Sequence, residues 1–417
     1  MTSGLDFLAA AKQCEIRELE QLALTSELVQ HTAELVHALQ KERGLSNLYL
    51  GSGGAQFGAA RSRQAAQCLR VEGALHQAFD RLDTGGARIG NGARLFSRIA
   101  YVLHGLQALP ALRERIEARG LAPAEATQAF VKLIAGLLAV VFEAADSATD
   151  PEISRLLVAL FHFMQGKEFA GQERAAGAAA FTSGQAEAAR QQQWLHLIDS
   201  QERCFKVFTE FAERGPAALW RQCQAGAALA ELERLRRVGC TAPVGSALDR
   251  ALGQTWFDCC TERIDAMQAV EARLAADLLA LCERKIAQAR VDLQACQALR
   301  DTAPAAGLPP GAFFDAPAAD GQVPALGPHL ERSVLELVQE QSRRLQAMGD
   351  ELATARAALN ERKLVERAKG VLMAHRQLSE EDAYKLLRQT AMSQSRRLVD
   401  VAEAVLSMAD FLPTRAR

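Results

Sequence analysis

The chain has 417 residues. A single hydrophobic core rarely organises more than about 250–300 residues, so the chain is expected to contain two or three domains. Its 48 Lys and Arg nearly balance 50 Asp and Glu, which excludes a protein that attracts polyanions through its overall charge. Hydrophobic residues make up 49% of the chain, and alternating strand-like patterns are almost absent. Composition therefore predicts an all-α fold, in which any nucleic-acid contact comes from a local basic patch.

The nine cysteines include no CxxC pair, a pattern that favours buried apolar thiols over a metal site or a disulfide framework. The N-terminus is acidic and lacks an apolar signal segment. Together these features predict a protein of the reducing cytoplasm. The most apolar run, residues 133–142, is about half as long as a bilayer crossing needs, so no membrane-spanning helix is expected.

Catalytic motifs are missing from the sequence. It contains no Gly-rich phosphate loop, no HExxH and no GxSxG, and its eight histidines are dispersed without the spacing of metal ligands. We therefore expect neither an enzyme nor a resident metal or cofactor.

Helical periodicity dominates residues 5–300, which predicts antiparallel helical bundles arranged as two four-helix-bundle-like halves. The helix breaks, predicted where Gly, Pro or Asp-Pro occur, are at residues 51–54, 83–92, 150–151 and 213–216. Residues 301–328 concentrate Pro and Gly without apolar periodicity, as a linker does. We therefore place one domain at residues 1–300 and a Pro/Gly-rich linker at 301–328.

A heptad-like seam follows the linker, at residues 329–360. Its positions alternate at spacings of three and four residues: Val338, Gln341, Leu345, Met348, Leu352, Ala355 and Leu359. This pattern is typical of a coiled-coil helix that joins two copies of a chain into a homodimer. It is equally consistent with an amphipathic helix that packs against the domain beside it.

Arginines occur at the edge of apolar helix faces in the first domain. One apolar stripe runs through Leu28, Val29, Leu35, Val36 and Leu39, and its next turn reaches Arg43. Arg236 and Arg237 flank the apolar face of a later helix. A buried guanidinium needs a counter-ion, so these arginines are either salt-bridged to a neighbouring helix or arranged to clamp a small planar oxyanion.

Three segments of this domain resemble the NIT domain, a nitrate- and nitrite-sensing helical module. They are residues 40–53, 163–175 and 233–237, and the similarity spans about residues 20–290. The resemblance implies that Arg43 and one arginine of the Leu-Arg-Arg motif hold the anion. That second residue is Arg236 or Arg237, of which we favour Arg237. Lys167, Glu168, Glu173 and Arg174 would form a supporting charge network, and the preference between nitrate and nitrite stays open.

The C-terminal residues 361–412 divide into three amphipathic helices that can close a small core. Residues 360–417 hold eleven Lys and Arg against eight Asp and Glu, a local basic patch on a nearly neutral protein. Its basic residues on polar faces or helix ends are Lys369, Arg388, Arg396 and Arg397. Such a patch contacts phosphates or is merely a solvated surface, and Tyr384 offers a ring for base stacking.

This segment resembles the ANTAR domain over its whole length. The matching residues are 368–373, 379–384, 387–388, 391–392 and 401–405. The resemblance implies binding to stem-loops of leader mRNA and transcription antitermination, with RNA contacts from Lys369, Arg388, Ser393, Arg396 and Arg397, and with Tyr384 available for stacking. Without the resemblance, a DNA-binding helix-turn-helix regulator fits a small basic helical domain equally well.

Taken together, these features predict a nitrate/nitrite sensor at residues 1–300 that controls an RNA-binding domain at 361–412 and thereby the antitermination of nitrate-assimilation genes. No receiver-like alternation of strands and helices precedes the C-terminal domain, so the input is expected to be a ligand. Two mechanisms remain open. Either the anion releases an effector that docks on the sensor, or it orders a dimer that assembles the RNA reader.

Overall fold

A computed structural model describes residues 4–82, 92–225, 227–302, 330–376, 378, 380–394 and 396–409. Apart from one isolated bridge between Gln185 and Ala247, their regular structure is helical. The helices are α1 (Gly4–Gly51), α2 (Gly58–Asp80), α3 (Gly92–Glu117), α4 (Pro123–Ser147), α5 (Pro151–Ser183), α6 (Ala188–Phe211), α7 (Arg214–Cys223), α8 (Ala227–Thr241), α9 (Leu252–Thr302), α10 (Leu330–Arg376), α11 (Glu380–Ser393) and α12 (Leu398–Ala409). The prediction of an all-α fold is confirmed.

The N-terminal domain consists of two helical bundles that share their longest helices. In the first bundle α1 packs against α2 and α4, and α3 packs against α4. In the second bundle α5 packs against α6 and α9, while α8 covers α6 and α9. The 48-residue α1 and the 51-residue α9 also pack against each other and join the two bundles.

The predicted helix breaks at 51–54, 150–151 and 213–216 coincide with helix ends, whereas the one predicted at 83–92 lies almost entirely outside the described residues. Local chemistry explains the ends of α5. The Asp150 carboxylate accepts hydrogen bonds from the backbone N–H groups of Glu152 and Ile153, both at 3.0 Å, and Pro151 fills the first helical position of α5. At the other end of α5, Gly184 adopts a left-handed φ of 74°. The sequence pattern does not predict the further breaks at 118–122, 184–187, 224–225 and 242–251, because the apolar periodicity resumes directly after each of them.

Three apolar cores stabilise the chain. The largest draws on both bundles, including Leu39 of α1, Val102 of α3 and Phe163 of α5. A second core, around Trp194 and Trp256, lies where the C-terminal end of α5 meets α6, α8 and the start of α9. The third closes the C-terminal domain between the end of α10, α11 and α12. The C-terminal domain therefore has a core of its own.

Helix α10 is continuous from Leu330 to Arg376, so it runs without a break past residue 360, where the coiled-coil-like helix was predicted to end. Ala355 and Leu359, at the end of the heptad seam, belong to the large core of the N-terminal domain. There the seam packs within one chain. The side chains at the start of the seam and most of the predicted linker, residues 303–329, lie outside the described residues.

By length and composition α4 is apolar enough to cross a membrane, yet most of its apolar window is buried inside the protein. Phe130, Ile134 and Val141 of this helix are fully enclosed. Burial of this kind is what a core helix of a bundle shows.

His162 lies in the middle of α5, buried and without a described hydrogen-bond partner for either ring nitrogen. Burial, followed by the charge of Arg362, lowers its pKa from 6.5 to about 3. Below about pH 6.5 the unfolded chain binds a proton at this residue that the folded chain does not, so stability falls as the pH decreases.

We expect His162 to lower the free energy of unfolding by about 2 kcal/mol between pH 7 and pH 5. Urea unfolding at both pH values checks this expectation, and His162→Leu should remove that part of the pH dependence. His375→Leu, at an exposed position near the end of α10, is the control. Equal pH dependence in wild type and His162→Leu would contradict the assignment.

Candidate functional site

Helix α5 carries charged residues inside its buried face. One buried stripe with alternating spacings of four and three consists of Phe163, Lys167, Ala170, Arg174, Gly177 and Phe181. Glu168 and Glu173 are buried as well, on other sides of the same helix. Charges enclosed in this way require partners from the neighbouring helices.

Arg43 of α1 points inward and forms a two-point ion pair with Glu168. Its Nη1 and Nη2 atoms lie 2.5 and 3.2 Å from the two carboxylate oxygens. The side-chain amides of Gln40 and Gln172 each donate to the same carboxylate at 2.9 Å. A Cβ at Gly171 would lie 2.5 Å from Arg43 Nη2, so this glycine gives the guanidinium room to cross α5.

Arg174 is buried beside Arg43, and no carboxylate of the described residues lies within 4 Å of it. Its guanidinium donates to Thr261 Oγ1 at 3.0 Å and to the carbonyl of Gln40 at 3.5 Å, and it lies over the Phe257 ring. Burial, and then repulsion from Arg43, lowers the pKa of Arg174 to about 10. The positive charge of Arg174 is therefore poorly compensated.

Glu173 organises a second cluster on the other side of α5. It accepts two hydrogen bonds from Arg236 of α8, at 2.7 and 2.6 Å, one from the Trp194 indole at 3.0 Å and one from Gln201 at 2.7 Å. Burial alone would raise the pKa of Glu173, but the charge and hydrogen bonds of Arg236 hold it below its usual value.

Arg263 of α9 completes this cluster. Its nearest carboxylate oxygen, on Glu173, is 3.9 Å away, and its hydrogen bond at 2.8 Å goes to the amide oxygen of Gln201. Burial and the neighbouring Arg236 lower the pKa of Arg263 to about 10. Arg263 is thus a second guanidinium without a close counter-ion of its own.

The structure shows which of the arginines predicted as anion ligands are buried. Arg43 and Arg236 are buried, on two different carboxylates of α5, whereas Arg237 is exposed on the outer side of α8. The inward arginine of the Leu-Arg-Arg motif is therefore Arg236. Sequence patterns identify neither Arg263 nor Gln201 as a site residue; the signal for Arg263 is a charged residue near the apolar face of α9.

Counted together, these clusters are positively charged. Four guanidinium groups are buried or nearly buried here, on Arg43, Arg174, Arg236 and Arg263. They face the two buried carboxylates of Glu168 and Glu173 and the half-exposed carboxylate of Glu233, which lies 2.6 Å from Arg236. A small anion could supply the missing negative charge and accept the hydrogen bonds that the planar guanidinium groups donate.

The C-terminal domain closes around Ala368, Leu387 and Val401. On its surface Ser393 lies at the end of α11 and donates to the Thr390 carbonyl, while Arg396 and Arg397 are exposed before α12 and contact Asp400. Lys369 was predicted on a polar face but is buried, with its ammonium 2.9 Å from Glu366, one turn earlier on α10.

Two of the predicted RNA contacts are occupied by the N-terminal domain. Arg388 of α11 forms an ion pair with Asp199 of α6. Tyr384 is buried between two side chains of the same helix, with the His196 ring at 5.1 Å and the Arg203 guanidinium at 4.7 Å from its ring centre. The surface that carries these two residues therefore faces α6 rather than solvent.

Helix α10 strengthens this docking. Lys363 lies 2.7 Å from Asp146 of α4, a carboxylate that also binds Arg94 at 2.8 Å. The guanidinium of Arg362 lies 5.1 Å from the centre of the Phe161 ring on α5. The C-terminal domain is held against the N-terminal domain by contacts from both α10 and α11.

Comparison with known proteins finds a matching family for each of the two domains. The NIT family, described as nitrate and nitrite sensing, matches residues 34–279, and the ANTAR domain matches residues 353–406. The chain is 38% identical to the nitrate regulatory protein of Klebsiella oxytoca over 406 residues, which are 97% of this chain and 95% of that protein.

Two further similarities differ in extent. The transcriptional regulatory protein PdtaR of Mycobacterium tuberculosis is 40% identical over 72 residues, which are 17% of this chain and 35% of that protein. The structure of the NasR transcription antiterminator matches with a TM-score of 0.59 and 34% identity, covering 98% of this chain and 99% of that one.

Proposed function

Because the chain belongs to the NIT family of nitrate and nitrite sensors and ends in an ANTAR domain, we infer that its charged core is a nitrate receptor coupled to an RNA-binding effector. The chain is a nitrate-responsive transcription antiterminator, and a DNA-binding regulator is not favoured. The two domains belong to regulatory rather than enzymatic families. An antiterminator acts on nascent transcripts, so we place the protein in the cytoplasm.

The observation that supports nitrate binding is that buried guanidinium groups outnumber buried carboxylates around α5. Nitrate and nitrite are planar and only accept hydrogen bonds, which suits guanidinium donors. We propose that Arg43 and Arg174 bind the anion from α1 and α5. Arg236, held by Glu173 in the second cluster, would add positive charge from α8, and Arg237 would have no direct role.

For the effector, we propose that Arg388, Ser393, Arg396 and Arg397 form the surface that binds leader-RNA hairpins. Lys369 and Tyr384, both buried in the docked arrangement, would join this surface when the effector undocks. Docking of Arg388 and Tyr384 on α6 then corresponds to the inactive state. If nitrate binds the undocked arrangement more tightly, it shifts the population towards a free RNA-binding surface. The homodimer expected from the heptad seam remains a prediction alongside this mechanism.

The function is tested by two measurements on the full-length protein. Calorimetric titration with nitrate, nitrite, chloride and sulfate should show heat of binding for the first two anions only. RNA affinity should rise with nitrate, and a leader hairpin should outcompete duplex DNA of the same sequence. Absence of nitrate binding, or a preference for duplex DNA, would reject the proposed function.

The basic surface itself gives a further expectation. Replacing Arg388, Arg396 and Arg397 together by glutamine should weaken RNA binding at saturating nitrate. If each arginine contacts one phosphate, the slope of log affinity against log salt should become shallower by about 2, at roughly 0.7 for each contact on single strands. Nitrate affinity should not fall. An unchanged salt slope in the triple variant would place the RNA site elsewhere on the protein.

A further inference from the structure

A cleft of 730 Å³ lies between α1 and α2, on the sensor and away from the effector's contacts. Three cationic side chains line it, Lys41, Arg63 and Arg70, against a single carboxylate, Glu34. No carboxylate of the described residues lies within 4 Å of these three cations, and Arg70 donates only to the amide oxygen of Gln67. The cleft therefore carries an excess of positive charge that faces solvent.

The inner end of the cleft adjoins the charged core. His37 and Gln268 line the cleft, and both contact the fully buried Lys167, whose Nζ atom is 3.5 Å from His37 Nδ1 and 2.7 Å from Gln268 Oε1. One helical turn after His37, Gln40 donates to Glu168 and accepts from Arg174. The inner end of the cleft is thus separated from the proposed nitrate site by about one turn of α1.

His37 lies among positive charges at this point. Its pKa is lowered to about 3, first by burial and then by the charges of Lys167, Lys41 and Arg174. Lys167 is in turn paired with Glu271 at 2.8 Å, and Glu34 is the carboxylate that lines the cleft itself. Cationic side chains thus lie both at the rim of the cleft and beside its inner end, an arrangement that attracts anions.

We propose that this α1–α2 cleft is the anion-selective entrance through which nitrate reaches Arg43 and Arg174. The inference rests on the proposed nitrate-binding function. A cleft lined by one sign of charge concentrates counter-ions and accelerates their association. A second opening, a 330 Å³ cavity beside Arg236 and Arg263, also exposes two carboxylates, on Glu202 and Glu233, and so attracts anions less.

The test uses the rates of nitrate binding, followed by stopped-flow tryptophan fluorescence of the full-length protein. Trp194 and Trp256 are suitable reporters, because they hydrogen-bond to Glu173 and to the Arg174 carbonyl. A plug, Ala60→Phe, narrows the cleft without touching the proposed site. If the cleft is the entrance, Ala60→Phe should slow nitrate association and dissociation by the same factor and leave Kd unchanged.

A second variant changes charge instead of shape. Replacing Lys41, Arg63 and Arg70 by glutamine should slow association about tenfold at low ionic strength, and this difference should disappear at high salt. Dissociation should stay as in the wild type. The matched control is Thr209→Phe, which plugs the cavity beside Arg236 and should leave both rates unchanged.

Three results would contradict the proposal that the α1–α2 cleft is the nitrate entrance. The first is slower nitrate binding in Thr209→Phe but not in Ala60→Phe, which would assign the route to the other cavity. The second is a faster dissociation rate in the charge variant, which would make the cleft part of the binding site. The third is the absence of nitrate binding in the wild type, which rejects the proposed function itself and is seen before any variant is compared.

Discussion

Arg174→Gln is expected to abolish tight nitrate binding while the sensor stays folded. No carboxylate of the described residues pairs with Arg174, so its removal leaves no buried carboxylate without a partner. If this guanidinium binds the anion, affinity should fall at least tenfold, about 1.4 kcal/mol. Calorimetric titration measures the affinity, and urea unfolding should show a stability equal to the wild type or higher, because an under-compensated buried charge is gone.

Arg43→Ala tests the second arginine of the proposed anion site. It should also lose the nitrate response, but it leaves the buried Glu168 with only amide donors. Breaking a buried ion pair in this way costs about 3–5 kcal/mol of stability. Arg284→Gln, at an exposed position of α9, controls for loss of charge alone. Wild-type nitrate affinity in both Arg174→Gln and Arg43→Ala would exclude this pair as the anion site.

The sequence predicts Arg43 correctly as an inward residue, because a helical stripe needs only local spacing. Leu28, Val29 and Leu39 are fully buried, and Arg43 follows them into the core. Its partner Glu168 is 125 residues away, and the partner of Arg236 is 63 residues away. No local pattern predicts contacts over such separations.

The neighbours Arg236 and Arg237 also show that local spacing in the sequence does not predict tertiary contacts. Successive residues on a helix differ by about 100° in direction, so both flank the apolar face and spacing does not separate them. Burial of Arg236 against Glu173 follows from the packing of α8 on α5 and α6. On the effector, Arg388 looks like a solvated residue of an amphipathic helix, yet in the fold it contacts Asp199. Docking between two domains leaves no trace in the periodicity of either one.

Reversing the charges on the sensor side of this docking surface is expected to free the effector without nitrate. Asp199→Lys with Arg203→Glu places a cation opposite Arg388 and removes the cation over the Tyr384 ring. An exposed ion pair contributes up to about 1 kcal/mol and a cation–π contact about 0.5–1 kcal/mol. Their loss, with added repulsion, should raise nitrate-free RNA affinity about tenfold. Both substitutions lie on the sensor, so the RNA-binding surface stays intact.

The matched control reverses a different pair, Arg273→Glu with Asp277→Lys on α9, which makes the same two charge changes away from the effector. RNA affinity is measured for both double variants by fluorescence anisotropy of a leader hairpin, with and without nitrate. If nitrate acts by undocking, the Asp199/Arg203 variant should also bind nitrate more tightly, because the undocked state is already populated. If instead nitrate orders a dimer that assembles the RNA reader, this variant should bind RNA as weakly as the wild type until nitrate is added. That outcome would reject masking by α6 and leave dimer ordering as the mechanism.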